Sequence, residues 1–575
     1  MENEFSEYKM HPDKKAPVLI VGGGISGLTA ALFLLKHGIT PLLIERHKST
    51  SIHPRARGFD IRTMELYREL QLSEQIREAG RALAPAWGIH TNASLATALK
   101  NKKPRNREVK SPIATKGLEE LAAQSPEVGA RCTQDLSEPV LLAAAKQREA
   151  EILFNTELIA FERNDKCVIA IIRNRETGQE QTIHADYMIA ADGAKSIIRE
   201  TLQANTIGKG VLGSLLNIYF EADLADFVKG REFSILRIKD QEIKGFMTSI
   251  NNTDRWVFHL YYDIAKGEKP EDFTDARITK ILEKVVGLPE IKIRIISILP
   301  WQPTVKVVAE MQHGRIFLAG DAAHVMTPYG GKGANTGVQD VHNLAWKLAA
   351  VIHGKASPEL LHTYNKEREP VGLHNAEQSG KMADEYGLLK KINWKIFGSF
   401  LLVMLVGVLK LKKLFPRLAM GKAGGLVGLP DYKYPTPICD EKMKTTPYAK
   451  TGLLNAEPGT RVPHIWVEYN HEKISTLDLL GKDFVLFTGT DNKVWKEATD
   501  NINNKMQIII PIYSIGAKGN LVYNEKSIKE VFGIGETGAV LVRPDGFVAW
   551  RYKQQPLNHS DSLFKIFHAI LFIRE

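Results

Sequence analysis

Residues 17–27 read PVLIVGGGISG, and this stretch decides the fold of the N-terminal part of the chain. Its apolar half predicts a short buried strand, and the glycines predict a turn into a helix over 26–37. Residues 40–46, TPLLIER, predict a second strand. A strand, a glycine turn, a helix and a strand form a βαβ unit of about 30 residues. The predicted fold class is therefore α/β, and the first domain is predicted to be Rossmann-like.

The glycine turn has the GxGxxG spacing of a dinucleotide site, because Gly22, Gly24 and Gly27 fall at its three positions. The first glycine permits a tight turn, the second lets the backbone approach a pyrophosphate, and the third allows a helix to pack closely on a strand. The helix start adds unpaired N–H groups and the positive end of its dipole. Glu45 ends the second strand, where its carboxylate can accept from ribose hydroxyls. The candidate cofactor-binding residues of this unit are Gly22, Gly24, Ser26, Gly27, Glu45 and Arg46.

Two further turns bear on which dinucleotide is bound. Residues 190–196 read AADGAKS, and residues 320–324 read GDAAH; each stretch follows a predicted strand. Either one alone is an ordinary turn signal. After the first glycine motif, in this order and about 130 residues apart, they form a specific combination.

With these stretches the sequence resembles the flavoprotein aromatic hydroxylases, the group of p-hydroxybenzoate, phenol and polyketide hydroxylases. The family pattern is GxGxxG, RxR, a DG segment, and GDAAH followed by a proline and a glycine-rich loop that ends in asparagine. The corresponding stretches here are VGGGISGLTAA, PRARGFDIRTMELYREL, IAADGAKSIIR and GDAAHVMTPYGGKGANTGVQDVHNLAWKL. The resemblance covers roughly residues 16–385.

The resemblance implies FAD as the cofactor and assigns residues to it. Asp321 would accept from the ribityl hydroxyls, and Gln134 would lie near the ribityl chain. Arg55 and Arg57 match a pair of which one faces the pyrophosphate, a ligand that suits a bidentate guanidinium. Asp192 belongs to the DG segment.

The loop after GDAAH is expected to lie against the flavin ring, with Pro328 at its beginning. A helix starting after Gly333 would point its N–H groups at the negatively charged edge of the reduced flavin. His324 is interpreted as structural. Lys332 departs from most of the family. The predicted cofactor-binding residues of this loop are Gly331, Gly333, Ala334 and Asn335, and the predicted catalytic residues are Pro328 and Arg55.

The activity that the resemblance implies is an NAD(P)H-driven monooxygenation. Reduced FAD would react with O2 to give a C4a-hydroperoxide, which transfers one oxygen to an aromatic or polycyclic, phenolic or polyketide-like substrate. Residues 215–262 and Trp301 could line the substrate pocket or simply pack a core. No residue in the sequence identifies itself as the base that ionises a phenol. The alternatives left open are an antibiotic-modifying flavin monooxygenase and an FAD-dependent oxidase or reductase at a membrane.

The predicted domains follow the motifs. Residues 1–205 and 300–385 form the FAD-binding domain, and residues 206–299 form a substrate-binding domain built on an antiparallel sheet. Residues 386–430 hold an apolar helical segment and a linker. Residues 431–575 resemble the thioredoxin-like C-terminal domain of phenol and polyketide hydroxylases, most clearly in GAVLVRPDGFVAWR. That domain has no CxxC, so we expect a role in dimer contacts or in support of the fold.

Composition limits the remaining possibilities. The net charge is +10, but lysines and arginines are interleaved with acids, so no nucleic-acid partner is expected. The three cysteines are far apart in sequence, which argues against a metal site and suits a reducing cytoplasm. The polar N-terminus has no signal-peptide pattern.

An apolar run of 14 residues, 396–409, complicates a cytoplasmic location. It is shorter than the roughly 20 residues that span a bilayer. Lysines lie on both sides of it, so residues 390–417 could form an interfacial helix on anionic lipid. The other interpretation is a helix buried between domains or in a homodimer interface.

Overall fold

The computed structural model describes residues 12–83, 88–100, 102, 123–390, 428–430, 432–435, 454–506, 508–553 and 559–573. Its helices are α1 Ile25–Lys36, α2 Ile61–Glu69, α3 Ser73–Ala79, α4 Leu95–Leu99, α5 Gln134–Gln147, α6 Ile197–Thr201, α7 Ala225–Val228, α8 Asp275–Val286, α9 Gly333–Ile352, α10 His362–Lys381, α11 Lys493–Met506, α12 Ile528–Phe532 and α13 His559–Leu571.

The strands before the substrate-side sheet are β1 Lys14–Val21, β2 Leu42–Ile44, β3 Ile89–Asn92, β4 Glu151–Leu153, β5 Thr156–Arg163, β6 Val168–Asn174, β7 Glu180–Ala190 and β8 Thr206–Val211. The central strands are β9 Leu215–Glu221, β10 Ile235–Ile238, β11 Gly245–Ser249, β12 Arg255–Tyr261, β13 Arg294–Trp301, β14 Thr304–Val308, β15 Gln312–His313, β16 Ile316–Leu318 and β17 His324–Val325. The C-terminal strands are β18 Trp466–Tyr469, β19 Glu472–Ser475, β20 Val485–Thr488, β21 Ile512–Ser514, β22 Ala539–Val542 and β23 Val548–Tyr552.

The first sheet has the order β15-β16-β7-β1-β2-β4, and β16, β7, β1, β2 and β4 run parallel. Val21 pairs with Ile44 on one side and with Ala190 on the other, so the carboxyl ends of three strands meet at one edge. Ligands of open α/β sheets bind at this edge. Helix α1 connects β1 to β2, and its Leu28 and Leu32 are fully buried. The prediction of an α/β fold with a Rossmann-like unit is confirmed.

The second sheet has the order β13-β9-β12-β11-β10-β3 and is antiparallel except for the pairing of β10 with β3. One face buries Ile218 and Phe220 against Leu282 of α8, because alternate residues of a strand point to the same side. Strand β3 and helix α4 join this sheet from residues that precede the second domain in sequence. The sequence pattern over 81–130 did not reveal them.

The C-terminal region has a βαβ unit, β20-α11-β21, followed by the hairpin β22-β23 and helix α13. The sheet order is β21-β20-β22-β23; β21 is parallel to β20, and β22 is antiparallel to it. This is the topology that a thioredoxin-like domain requires. Its core reaches the first domain through Trp346 of α9, whose ring lies edge-on to Phe484 at 5.8 Å between centroids.

Buried charges tie the C-terminal domain to the first domain. Arg543 donates two hydrogen bonds to Glu367 of α10, at 2.6 and 2.8 Å, and also pairs with Asp545. Lys347 of α9 donates to the same Glu367 carboxylate at 2.8 Å. These four side chains are at most 6% exposed. A buried charge is stable only when it is paired and hydrogen-bonded, so the network fixes how the two domains meet.

The apolar run 396–409 and most of the predicted linker lie outside the described residues. Among the helices that the structure describes, none combines the length and the apolar character needed to cross a bilayer.

Removal of one partner from this network should destabilise the protein strongly. We expect Arg543→Met to lower the free energy of unfolding by about 3–5 kcal/mol, because the Glu367 charge would stay buried with fewer partners. Arg294→Met removes an exposed pair with Glu221 and should cost less than about 1 kcal/mol. Denaturant unfolding of both variants measures the difference, and equal losses would contradict the proposed importance of burial.

The same network predicts the direction of acid denaturation. Burial acts to raise the pKa of the Glu367 carboxyl, but the charges of Arg543 and Lys347 outweigh it and lower that pKa from 4.5 to about 2. The stabilisation is therefore complete above pH 4.5 and is lost as the pH falls toward 2. In Arg543→Met this acid-dependent loss should be smaller, as measured by unfolding free energies between pH 5 and pH 2.

Candidate active site

The first glycine turn brings three pieces of backbone into close contact. A Cβ on Gly22, whose φ is +108°, would lie 2.3 Å from the Ala191 carbonyl oxygen. A Cβ on Gly27 would lie 1.8 Å from the Gly22 carbonyl oxygen. Only glycine fits at these two positions, so α1 can start directly at the carboxyl edge of the parallel sheet.

The start of α1 is free to bind an anion. The N-cap residue Gly24 is extended and offers no side-chain hydrogen bond to the first turn. Unpaired N–H groups and the helix dipole at such a position attract phosphate. Glu45, predicted to bind ribose, accepts a hydrogen bond from the Gly23 N–H at 2.6 Å and lies beside this turn. Arg46 is exposed, and its guanidinium contacts His47 instead.

Ser26 joins the first motif to the GDAAH motif. A Cβ on Gly320 would lie 2.5 Å from the Ser26 hydroxyl oxygen, and a Cβ on Gly337 would lie 2.4 Å from the same oxygen. The side chain therefore fits between the GDAAH turn and helix α9. The structure gives Ser26 a packing position, and its predicted role in cofactor binding stays a prediction.

The DG and GD turns are held together by Arg199. Its guanidinium donates to the carbonyls of Ala194, Asp321 and Ala322, at 2.7 to 3.2 Å. Asp192 accepts from the Ile198 N–H, while its buried Oδ1 has no partner among the described residues. Burial raises the pKa of Asp192.

Asp321 presents an exposed carboxylate at the end of β16, close to the start of α9. Its Oδ1 lies 3.9 Å from where a Cβ on Gly333 would be. Surrounding protein raises the pKa of this carboxyl, while the charges of His324, Arg55 and Arg199 act to lower it. Because the side chain is open to solvent in the groove, it can accept hydrogen bonds from a ligand.

The RxR loop and helix α5 meet next to the first glycine turn. The Gln134 N–H donates to the Arg55 carbonyl at 2.8 Å, and the Gln134 amide donates to Glu138 at 2.6 Å. Glu138 also accepts from the Ser51 N–H at 2.7 Å. Burial raises the pKa of Glu138, which lies 3.6 Å from where a Cβ on Gly24 would be. Glu138 is not among the residues predicted from the sequence, although it stands in the CTQDLSEP stretch that contains Gln134.

The two arginines of the RxR motif point in different directions. Arg57 donates to the Ser249 carbonyl at 2.9 Å and to the Ser234 hydroxyl at 3.2 Å, so its guanidinium reaches the substrate-side sheet. Arg55 is exposed, and its charge acts on Asp321 and Glu138. Arg57 is therefore engaged by the substrate-side sheet and Arg55 lies among the carboxylates near the GDAAH turn, while cofactor binding by Arg57 and a catalytic role for Arg55 stay predictions.

The glycine-rich loop leads directly into α9. A turn forms where the Gly331 N–H donates to the Pro328 carbonyl at 3.1 Å, and α9 starts at Gly333 without a side-chain cap. Asn335 donates to the Gly331 carbonyl at 2.6 Å and accepts from the Asp60 N–H at 3.0 Å. Its side chain therefore holds the loop against the RxR segment. Pro328 is exposed and Ala334 half-buried at this end of the helix.

His324 is buried within an ionic network beneath the loop. Its ring contacts Asp340 at 2.6 Å, and Asp340 also accepts from the Gly320 N–H and from Arg368. All three side chains are fully buried. This position agrees with a structural role for His324.

The sheet face opposite α8 is lined with aromatic rings. Phe246 stacks on His259 at 4.3 Å between centroids, and Tyr329 of the glycine-rich loop lies 6.2 Å from Phe246. Burial, aided by the charge of Arg57, lowers the pKa of His259 to about 3, so its imidazole is neutral at pH 7. A hydrogen bond joins His259 to Asn217. Trp301 lies edge-on to His259.

These positions fit a bound FAD. The uncapped start of α1 suits a pyrophosphate, Asp192 keeps a buried oxygen without a partner in the described part of the chain, and a Cβ at Gly333 would meet nothing closer than 3.7 Å. A groove of this kind beside an aromatic-lined sheet defines the class of FAD-dependent oxidoreductases.

Residues 15–379 match the FAD binding domain family, and residues 455–571 match the family called aromatic-ring hydroxylase, C-terminal. The chain belongs to the FAD-dependent aromatic-ring hydroxylases, and it is a monooxygenase that takes electrons from NAD(P)H.

Its relatives match over nearly their whole length. The chain is 34% identical to a tetracenomycin A2 monooxygenase-dioxygenase of Streptomyces glaucescens, with 97% of both chains covered. It is 32% identical to a 4-methyl-5-nitrocatechol 5-monooxygenase of Burkholderia sp, with 97% of this chain and 98% of the relative covered. The crystal structure of a ternary complex of aklavinone-11 hydroxylase with FAD and aklavinone has a TM-score of 0.78 at 28% identity, covering 98% of this chain and 100% of that one.

Two glycine variants should separate folding from cofactor binding. Gly24→Ala places a Cβ at an ordinary 3.6 Å from Glu138, so the apo protein should lose no more than about 1 kcal/mol, the preference of an N-cap for glycine over alanine, while FAD affinity falls about tenfold or more. Gly27→Ala places a Cβ 1.8 Å from the Gly22 carbonyl oxygen and should destabilise the apo protein by at least about 1–3 kcal/mol, on the order of other overpacked sites. Fluorescence titration with FAD and thermal unfolding measure the two effects. Wild-type FAD affinity in Gly24→Ala would show that the pyrophosphate does not pass over this turn.

Proposed function

We propose that this chain hydroxylates an oxygenated polycyclic aromatic of the polyketide type, with one atom of O2 and electrons from NAD(P)H. The observation that carries the proposal is the aromatic sheet face of β9, β11 and β12, which lies against Tyr329 of the loop before α9. A flat substrate between this face and the flavin ring would be shielded from water.

The residues around the groove suggest how FAD would be held. The N–H groups at the start of α1 would bind the pyrophosphate, and Glu45 would bind the adenosine ribose. Asp321 would accept from the ribityl hydroxyls. The start of α9 at Gly333 would stabilise negative charge on the flavin ring. When bound, FAD supplies the hydride acceptance and the oxygen activation that side chains lack.

The substrate side must exclude water and hold the ring that is oxidised. Phe246 and Tyr329 are buried and supply apolar walls. His259 is neutral at pH 7, and with its Nδ1–H donated to Asn217 its Nε2 would accept a hydrogen bond from a substrate hydroxyl. That hydrogen bond would orient the hydroxylated ring toward the loop.

The names of the relatives support an oxygenated aromatic substrate. They include two proteins that act on polycyclic compounds, tetracenomycin A2 and aklavinone, and one that acts on a nitrocatechol. The aromatic face crosses several strands, which favours a polycyclic compound over a single ring.

The proposal extends to partners. A homodimer and a peripheral membrane contact through residues 390–417 are both proposals that rest on the apolar run 396–409 and its flanking lysines. Light scattering of the purified protein tests the dimer. Sedimentation with vesicles containing phosphatidylserine, against vesicles of phosphatidylcholine alone, tests the membrane contact.

The function is tested by substrate-dependent oxidation of NADH and NADPH. FAD-loaded enzyme should oxidise one of the two faster when a hydroxylated anthraquinone or naphthacenequinone is added, and the product should gain the mass of one oxygen atom. The control is the same compound with enzyme stripped of FAD. Nicotinamide oxidation that yields only hydrogen peroxide with every phenol and quinone tested would favour an oxidase instead.

A further inference from the structure

Four side chains form a row across the substrate-side sheet. Strand pairing places Asn217 opposite His259, His259 opposite Phe246, and Phe246 opposite Arg237. Because paired residues project from the same side of a sheet, all four stand on the face turned away from α8. The row ends at Arg237, which is close enough to Tyr329 of the glycine-rich loop for its charge to act on the tyrosine hydroxyl.

Arg237 is a buried cation whose hydrogen-bonding capacity is not fully used within the described residues. The side chain is 9% exposed, and its Nε and Nη2 make no hydrogen bond among the described residues. Burial lowers its pKa. A buried guanidinium normally finds a carboxylate, because an unpaired buried charge is costly.

Two groups act on Arg237 through their charge, and both make hydrogen bonds to other parts of the protein. One is Asp384, whose Oδ1 accepts the N–H groups of both Tyr386 and Leu388. The Tyr329 hydroxyl donates to the Gly387 carbonyl. No ion pair within 4.0 Å joins Arg237 to an acid in the described part of the chain. The Nε and Nη2 donors of Arg237 therefore lack an acceptor in the described part of the chain, and Arg237 stands on the same sheet face as the Phe246 ring.

A second unsatisfied donor lies at the other end of the same face. The indole N–H of Trp301 is buried and has no acceptor among the described residues. Trp301 pairs with Leu215, whose side chain belongs to the same aromatic face. Strands β10 and β13 are four strand spacings apart, roughly 19 Å. Donors at both ends with rings between them match a flat, extended molecule that carries oxygen acceptors at its edges.

We propose that Arg237 binds an ionised oxygen of the aromatic substrate, supplied either by a phenolate or by a carboxylate. The inference rests on the proposed function and narrows its substrate class to acidic, oxygenated polycycles. A phenol held there would lose its O–H proton to solvent, and the guanidinium would stabilise the remaining anion. A phenolate is more electron-rich than a phenol, so the same contact would prepare the ring for oxygen transfer.

The test uses FAD-loaded enzyme and three related anthraquinone probes. Alizarin carries ionisable phenols, anthraquinone-2-carboxylate carries a carboxylate, and 9,10-anthraquinone carries neither. Wild-type enzyme should bind the two acidic probes roughly tenfold to a hundredfold more tightly than the neutral probe. Bound alizarin should also show the absorption band of its ionised form at a pH where free alizarin is still protonated.

Arg237→Met should lose this preference while the protein gains or keeps stability. Affinity for the preferred acidic probe should fall roughly tenfold to a hundredfold, affinity for 9,10-anthraquinone should stay the same, and the ionised alizarin band should disappear. Since the substitution removes an unpaired buried charge, thermal unfolding should occur at the same temperature or higher. Arg237→Lys should restore part of the preference, and Arg294→Met, on the same sheet but exposed, should leave the preference for acidic probes unchanged.

The outcomes separate this inference from the proposed function. If Arg237→Met weakens the binding of alizarin alone, the ligand of Arg237 is a phenolate. If it weakens the binding of anthraquinone-2-carboxylate alone, the ligand is a carboxylate. Equal binding of all three probes by wild type and Arg237→Met overturns the inference while the proposed function stands. Wild-type enzyme that binds none of the probes and oxidises no NAD(P)H with any aromatic overturns both. A lower unfolding temperature in Arg237→Met with unchanged probe preference means that Arg237 is structural, which also overturns the inference.

Discussion

The geometry of the site depends on one packing contact, in which the Ser26 hydroxyl fits between Gly320 and Gly337. There, helix α1, the GDAAH turn and helix α9 approach one another so closely that any side chain on either glycine would separate them. The two helix starts that face the cofactor groove belong to α1 and α9, so this contact sets their relative position. Electrostatic stabilisation by helix ends is effective only within the first turn, and such a fixed geometry is what it requires.

Polar side chains reinforce that contact from all sides. Arg199 joins the DG turn to the GDAAH turn, Asp340 joins the same turn to α9 and α10, and Asn335 joins the glycine-rich loop to the RxR segment. Each link uses a buried or half-buried hydrogen bond between segments that are distant in sequence. The groove is therefore held by hydrogen bonds within the protein itself.

The sequence predicted those parts of the fold that local patterns determine. The βαβ unit followed from an apolar run, three glycines and a second strand, and the hairpin β22-β23 followed from a strand, Pro-Asp-Gly and a strand. The remaining C-terminal topology was expected from the resemblance to a thioredoxin-like domain. Strand β3 was missed because its one partner among the described strands is β10, more than 140 residues away, and because it carries no alternating pattern of its own. In the candidate site, the sequence motifs predicted which residues take part, but they did not predict where the side chains point. Arg55 and Arg57 are two residues apart, yet Arg57 bonds to the substrate-side sheet while the charge of Arg55 acts on Asp321 and Glu138. Arg237 belongs to no motif, because its burial arises only from tertiary packing.

Helix α9 also has a consequence for hybrid proteins. It is 20 residues long, about 30 Å, and it runs from the flavin-side loop to the core of the C-terminal domain. Its Lys347, together with Glu367 of α10, completes an ionic network whose other half is Arg543 and Asp545. A C-terminal domain transplanted from a relative would have to match these two helices as well as the linker. A functional hybrid should therefore exchange the C-terminal domain together with the residues of α9 and α10 that face it. If only the domain and its linker were exchanged, the buried charges of one protein would lie against a surface of the other that does not pair with them.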